Sequence, residues 1–345
     1  MPEPPPAPDQ PHHVNRLLAE QVNYDQGALR ASVQRKLPTL NADQRALFDV
    51  VVDALEGGPG SWVSRNRQSN TFFVDSPGGC GKTYIFNLLL VVARRDGRVA
   101  LAVASSGIAA LLLDGGKTAH SQLKIPVNIH ADSLCNVSAS SELAELLRAT
   151  ELIVWDEAPM MHKHCFEAVD RTLRDLTCRD DLFGGKIVVL GGDFRQVLPV
   201  VNRGTRAAIV NSCLKRSYIW GKLRTLQLHI NMRVQRLLSE GHDASELQRF
   251  SETLLGVGED AAGTQTFCIP ESRCAPTEHP RDLIGRIFGN LSTDPSAATA
   301  SHLTSRALLT PCNEDVNQLN NMVMASFPGK MLGVGRKSMF VCAHA

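Results

Sequence analysis

The run Phe72-Phe73-Val74-Asp75-Ser76-Pro77-Gly78-Gly79-Cys80-Gly81-Lys82-Thr83 decides how the rest of the chain reads. An apolar strand empties into a glycine-rich turn ending in Lys-Thr, and an apolar helix follows over residues 84–94. Backbone N–H groups of such a turn wrap an anion, and the helix behind it points its positive dipole end at the same spot. Ser76, Pro77, Gly78, Gly79, Cys80 and Gly81 would form the cradle, Lys82 would bridge β- and γ-phosphates, and the Thr83 hydroxyl would hold a magnesium ion. Ser76 departs from the G-x-x-x-x-G-K-[ST] pattern, standing where its first glycine is expected. If that position needs a positive φ, serine is strained there by about 1 kcal/mol. A glycine-rich surface turn with a stray lysine would look the same locally, so other segments must decide.

The 345 residues leave room for two domains, and a hydrophobic fraction of 43% is ample for buried cores. A net charge of +1 gives no global basic excess, so any nucleic-acid surface must be a local groove. Nine cysteines contain no C-x-x-C pair, and the nearest two, Cys268 and Cys274, lack a His-rich partner segment. Reduced thiols in an intracellular compartment fit better than zinc or disulfides. Apolar runs such as residues 85–93 fall far short of a membrane span, and the Pro-rich, acid-containing N-terminus is neither signal nor transit peptide. A soluble intracellular protein without membrane contact is expected.

Six prolines within residues 1–13 favour an extended, solvated tail. Val14, Leu17, Leu18 and Val22, then Leu29 and Val33 after Gly27, predict two short amphipathic helices. Asn41 opens a further helix with Gln44 three residues on, the spacing of a capping box. The Gln44 amide, carrying both a donor and an acceptor, would also suit an adenine edge, and spacing alone favours the cap. Residues 99–104 read as a second buried strand, which ends in Ser105-Ser106-Gly107 before a helix over 108–113. That turn can donate to a nucleic-acid phosphate or merely cap its helix. Lys117, Thr118, His120 and Ser121 then gather a cation, two hydroxyls and an imidazole in one loop, a candidate backbone-binding surface.

Residues 152–155 form a strand that runs straight into Asp156-Glu157. Two adjacent carboxylates at the end of a buried strand are costly unless a cation meets them. Magnesium at the phosphate loop would supply that charge, with Asp156 binding the ion, mostly through water, and Glu157 polarising the attacking water as general base. An acidic helix N-terminus explains one carboxylate better than two. Residues 186–190 are another parallel-type strand, ending in Gly191-Gly192-Asp193-Phe194-Arg195-Gln196, which places Gln196 to sense a γ-phosphate or orient water. Residues 226–231 alternate like a strand and deliver Met232-Arg233, where Arg233 either stabilises charge on a transferred phosphoryl or pairs with a surface acid.

Taken in order, residues 40–44, 76–83, 104–110, 115–121, 154–160, 191–199 and 226–233 resemble the successive motifs of the petite-integration-frequency (PIF-type) DNA helicases of superfamily one, including the forms carried by Helitron-type transposons. Asn23-Tyr24-Asp25 is similar too, and the resemblance spans residues 14–328. It implies an α/β fold: a RecA-like P-loop NTPase domain with a mostly parallel sheet, plus an incomplete second RecA-like domain. It implies an ATP- and Mg²⁺-dependent motor that moves five-prime to three-prime on single-stranded DNA and opens forked duplexes, in repair, recombination and telomere maintenance. It makes Gln44 an adenine contact and Arg233 an arginine finger. It also assigns DNA contacts to Ser105, Ser106, Gly107, Thr118, His120 and Ser121, with little sequence preference expected.

The expected organisation is a tail over 1–13, a helical segment over 14–38, a first RecA-like ATPase domain over 39–235, a helical segment and irregular linker over 236–305, and the start of a second RecA-like domain over 306–345. Ile284 and Phe288 are packing points in the linker, and 307–310 should be a strand before a helix capped by Asn313. The family's later motifs have no counterpart after residue 328, so weak or no unwinding by this chain is expected, a non-motor ATP- and DNA-binding module being the alternative. A P-loop kinase is disfavoured because no lid or acceptor site is evident. A DNA substrate implies the nucleus, and a monomer is expected.

Overall fold

Successive side chains of a strand point to opposite faces, and the apolar strands of this chain bury both. The computed structural model describes residues 15–57, 70–241, 245–259, 279–289, 291, 299–310 and 312–326. The chain divides into two units, residues 1–262 and 263–345. In the first, six strands make one sheet: β1 (Thr71–Asp75), β2 (Val99–Ala104), β3 (Lys117–Thr118), β4 (Thr150–Asp156), β5 (Ile187–Gly192) and β6 (Arg224–Gln227). Their order is β3-β2-β4-β5-β1-β6 and every pairing is parallel, the α/β class expected.

Eleven helices of this unit are described: α1 (Arg16–Val22), α2 (Gln26–Lys36), α3 (Ala42–Glu56), α4 (Lys82–Arg95), α5 (Gly107–Leu111), α6 (Ala119–Leu123), α7 (Glu142–Ala149), α8 (Lys163–Thr177), α9 (Arg206–Ser212), α10 (Met232–Ser239) and α11 (Ser245–Glu259). Phe72, Val74, Ala102, Val154 and Val189 face one core with Leu47 and Val51 of α3 and Ile85, Phe86 and Leu89 of α4. Phe73, Leu101, Ile153, Trp155 and Val188 face the other, with Leu146 of α7 and Phe166, Val169 and Leu173 of α8. In α8, Phe166, Val169, Leu173 and Leu176 recur at helical spacing and are buried. The Phe166 ring centroid lies 4.5 Å from that of Trp155.

Lys186 closes the amino-terminal edge of the sheet. It is buried and donates to the carbonyls of Arg148 at 3.1 Å and Thr150 at 2.8 Å, where α7 gives way to β4. Burial pushes its pKa down to about 8.

Several expectations need correction. The strand predicted over 226–231 is β6 and stops at Gln227, which pairs with Asp75, the last residue of β1; past it His229 N–H donates to the Asp43 carboxylate. The loop predicted over 115–121 is the short strand β3 followed by α6. Residues 258–305, expected to be irregular, contain α12 (Pro280–Phe288) and α13 (Ala300–Thr304), while 260–278 lie outside the described residues. Pro280 starts α12 at a position where no N–H is needed, and Ile284, Phe288 and Leu291 bury together.

In the second unit, residues 307–310 form no strand and Leu309 is exposed; the following helix, α14 (Asn313–Ala325), begins at Asn313 itself, so the cap position falls on Cys312. Leu319, Met322 and Val323 of α14 pack on the small cluster under α12. The tail expected over 1–13 and residues 327–345 lie outside the described residues. No helix among the described residues is long and apolar enough to cross a membrane.

Phe166→Ala should lower folding stability by about 3–5 kcal/mol, because it leaves a cavity against Trp155. Urea unfolding of the two proteins checks this, and an unchanged midpoint would mean that α8 is not part of the core.

Candidate functional site

Because all strands run the same way, their carboxyl ends share one edge, and the loops leaving β1, β2, β4, β5 and β6 meet there. The loop after β1 turns sharply through Gly79 (φ 92°) and Gly81 (φ 79°), both in the left-handed region that favours glycine. Space excludes a side chain as well. A Cβ on Gly81 would lie 2.5 Å from Gln44 Nε2, and one on Gly79 would lie 2.9 Å from Asn231 Oδ1. Ser76 is not among the residues with positive φ, so the strain considered for serine does not arise. It is buried, its N–H donates to Gly192 O at 3.3 Å and its hydroxyl to Pro77 O at 3.2 Å. Burial holds the Cys80 thiol above its ordinary pKa, so it is a neutral wall of the loop.

Lys82 begins α4 and reaches across the strand ends. Its ammonium contacts the carboxylate of Asp156 and donates to Glu157 Oε1 at 3.2 Å. Strand β5 lies between β1 and β4, and Gly191 near its end makes the crossing possible. A Cβ there would run into the Phe86 ring and come within 3.1 Å of Lys82 Cδ. The Lys82 and Asp156 side chains are only 11% and 3% exposed, so each needs the other's charge, whereas Glu157 is 24% exposed. Glu157 also adopts the left-handed conformation (φ 53°, ψ 38°), a strain of about 1 kcal/mol for a residue with a Cβ. Its N–H donates to Asp156 Oδ1 at 2.7 Å, which fixes the two carboxylates relative to each other.

Two segments far away in sequence brace the loop. Gln44 is 2% exposed and forms both halves of the capping box: its N–H donates to Asn41 Oδ1 and its Oε1 accepts from the Asn41 N–H. Its Nε2 donates to Cys80 O at 3.0 Å. Both ends of the amide are engaged in this structure, where Gln44 caps α3 and braces the loop. On the other side Met232 N–H donates to Gly79 O at 2.9 Å, and Asn231 caps α10 through the N–H groups of Arg233 and Val234. Arg233 lies over Gly79, its Cδ 3.3 Å from where a Cβ would be. It is exposed and has no ion pair among the described residues.

The sequence reading passed over two of these residues, Asn231 and Arg195. Arg195 Nε donates to Asp193 at 2.7 Å, and its guanidinium lies 3.6 Å from Asp75 and 3.1 Å from Glu259 of α11, tying the β5 loop to the end of β1. Gln196 is exposed and its amide lies 3.4 Å from Asp193 Oδ2. The local signal for Arg195 was its position two residues after a carboxylate at a strand end.

The hydroxyls proposed for nucleic acid have local partners. Ser105 Oγ accepts from Trp155 Nε1 at 3.2 Å and lies 3.4 Å from Asp156 O. Ser106 caps α5 through Ala109 N–H, and Thr118 caps α6 through Ser121 N–H. Gly107, His120 and Ser121 are exposed. Of the two alternatives for residues 105–107, the capping role is occupied, and it leaves the exposed turn open to a further contact.

Thr83 and Asp156 offer hard oxygen donors suited to magnesium. Among the described residues no three His, Cys, Asp or Glu side chains gather to hold an ion, so phosphate oxygens and water would have to complete its shell.

A parallel sheet whose first strand feeds a glycine-rich anion loop, with a lysine paired to carboxylates from a neighbouring strand, defines a P-loop α/β domain of the RecA-like kind. Residues 39–266 match the sequence model of the PIF1-like helicases, and the chain belongs to that family. It is 34% identical over 140 residues to an ATP-dependent DNA helicase Pif1 of Psychrobacter sp. (strain PRwf-1), covering 40% of this chain and 21% of that protein. It is 29% identical over 158 residues to the ATP-dependent DNA helicase RRM3 of Saccharomyces cerevisiae, covering 45% and 21%. Among solved structures, a Pif1 helicase from Bacteroides in complex with ADP-AlF3 and ssDNA is 21% identical with a TM-score of 0.46, covering 68% of this chain and 54% of that one. The matches to these two curated relatives span about a fifth of each relative's own length.

Gly81→Ala should reduce the affinity for a fluorescent ATP analogue by about tenfold or more, since the left-handed backbone and the Gln44 contact both resist a Cβ. Equilibrium titration reads this, and wild-type affinity in the variant would remove the loop from the site.

Proposed function

We propose that the chain is an ATP-hydrolysing motor domain of a DNA helicase. The observation that carries this is the contact of Lys82 with both Asp156 and Glu157 at the strand ends of a PIF1-like chain. An ammonium held by two carboxylates exchanges partners when a polyphosphate arrives. Lys82 then contacts β- and γ-phosphate oxygens, and Glu157 is released to accept the proton of the attacking water. The N–H groups of the 78–83 turn cradle the phosphates. Thr83 and Asp156 would hold Mg²⁺, which neutralises phosphate charge when bound. Arg233, without an ion pair among the described residues and lying over the loop, stabilises charge on the transferred phosphoryl, and Gln196 senses its presence or absence.

The same reading gives residues 39–235 as the ATPase domain. The exposed turns around Gly107 and His120 contact the backbone of single-stranded DNA, and forked duplex is the substrate, tracked five-prime to three-prime. Repair, recombination and telomere maintenance are the settings the family suggests, with the nucleus as the compartment. A second reading, an ATP- and DNA-binding module without motor activity, is favoured by one observation: the described residues of the second unit hold helices and no strand. Strand displacement on a forked duplex separates the two.

Glu157→Gln should cut ATP turnover by about a hundredfold or more while ATP still binds, the usual size for loss of a general base. Phosphate release and nucleotide titration, run side by side, check it. Unchanged turnover would remove Glu157 from the chemistry.

A further inference from the structure

Residues 194–239 contain nine Lys or Arg and no Asp or Glu, in a chain whose net charge is only +1. Some of these cations are accounted for. Arg195 bonds Asp193, Arg236 pairs with Glu240, and Lys215 lies 4.2 Å from the Phe194 ring centroid. Arg206 and Arg216 are among those that are not. Both are exposed, neither has an ion pair among the described residues, and together with Ala207, Val210 and Asn211 they line an open groove beside α9. Two unneutralised guanidiniums on one groove repel each other unless an anion lies between them, and planar N–H forks suit phosphate oxygens.

The groove connects to the edge that carries the proposed DNA turns. Ser105 Oγ lies 3.9 Å from Met161 Sδ; two residues on, Lys163 Nζ donates to Asn211 Oδ1 at 3.4 Å, and Asn211 is part of the groove wall. Lys163 thus adds a third cation at the groove wall, two residues along the chain from the Met161 contact of the 105–107 turn.

We infer that the groove lined by Arg206, Asn211 and Arg216, with Lys163 at its edge, continues the path of a single DNA strand past the 105–107 turn by binding its phosphates. This rests on the DNA reading of the same protein. Contacts of this kind are sequence-independent and release counterions, so they show in the salt dependence of binding.

The test is titration of a labelled oligothymidine of about 20 nucleotides with the full chain across a range of salt concentrations. Arg206→Ala/Arg216→Ala should weaken binding about tenfold at low salt and reduce the slope of log affinity against log salt by about 1.4, the value for two lost single-strand phosphate contacts. Arg206→Lys/Arg216→Lys, which keeps both charges, should hold the slope of the parent. An unchanged slope in the alanine pair overturns the groove while leaving DNA binding by the parent intact. Equal loss in the lysine pair, or a loss confined to blunt duplex, also overturns it. A parent chain that binds no DNA at any salt overturns the DNA reading, and this inference with it.

Discussion

The ammonium of Lys82, held by Asp156 and Glu157 at the carboxyl edge of the sheet, is the contact around which the rest of the first unit is arranged. Charges this well buried are tolerable only as a set, because a lone carboxylate or ammonium there would lose several kcal/mol of hydration. The set requires a parallel sheet with β4, β5 and β1 side by side, a glycine at position 191 to let the lysine pass, and a loop after β1 that aims it. Each requirement is met by backbone geometry before any side chain is chosen for chemistry. Removing one partner would leave the others unbalanced, so this cluster is both a structural constraint and a store of charge that an incoming polyanion can draw on.

The anion loop is not held by its own residues alone. Its carbonyls at Gly79 and Cys80 accept from Met232 N–H and Gln44 Nε2, two donors separated by most of the first unit's sequence. Asn41 Nδ2 reaches Met232 Sδ at 3.0 Å and closes the ring. A loop so tied is held in shape without a ligand, which lowers the ordering cost of binding one. Arg195 does the same for the β5 loop through three carboxylates.

The fold was legible where period and punctuation agree. The strands 72–75, 99–104, 152–155 and 186–190 show as apolar runs with turn residues behind them, and all four lie in the sheet. The Gln44 capping box followed from spacing and is present. Less was legible where tertiary contacts decide. The strand expected to Asn231 ends at Gln227 because its neighbour β1 ends at Asp75, after which Asp43 takes the His229 N–H, and neither partner is local. Thr118 reads as a loop hydroxyl in isolation and proves to be a helix cap. Ser76 shows the reverse, a departure from pattern that the backbone accommodates without strain. The bracing by Asn231 and Arg195 depends on β6 and β5 flanking β1, which no short window of sequence contains.

The most direct measurement is diffraction from crystals of the chain grown with Mn²⁺ and a non-hydrolysable ATP analogue, recorded at the manganese edge. The expected result places the triphosphate in the 76–83 loop, the manganese beside Thr83 and Asp156, and the Lys82 ammonium moved from the carboxylates onto phosphate oxygens. A nucleotide bound elsewhere, with Lys82 still held by Asp156 and Glu157, would contradict it.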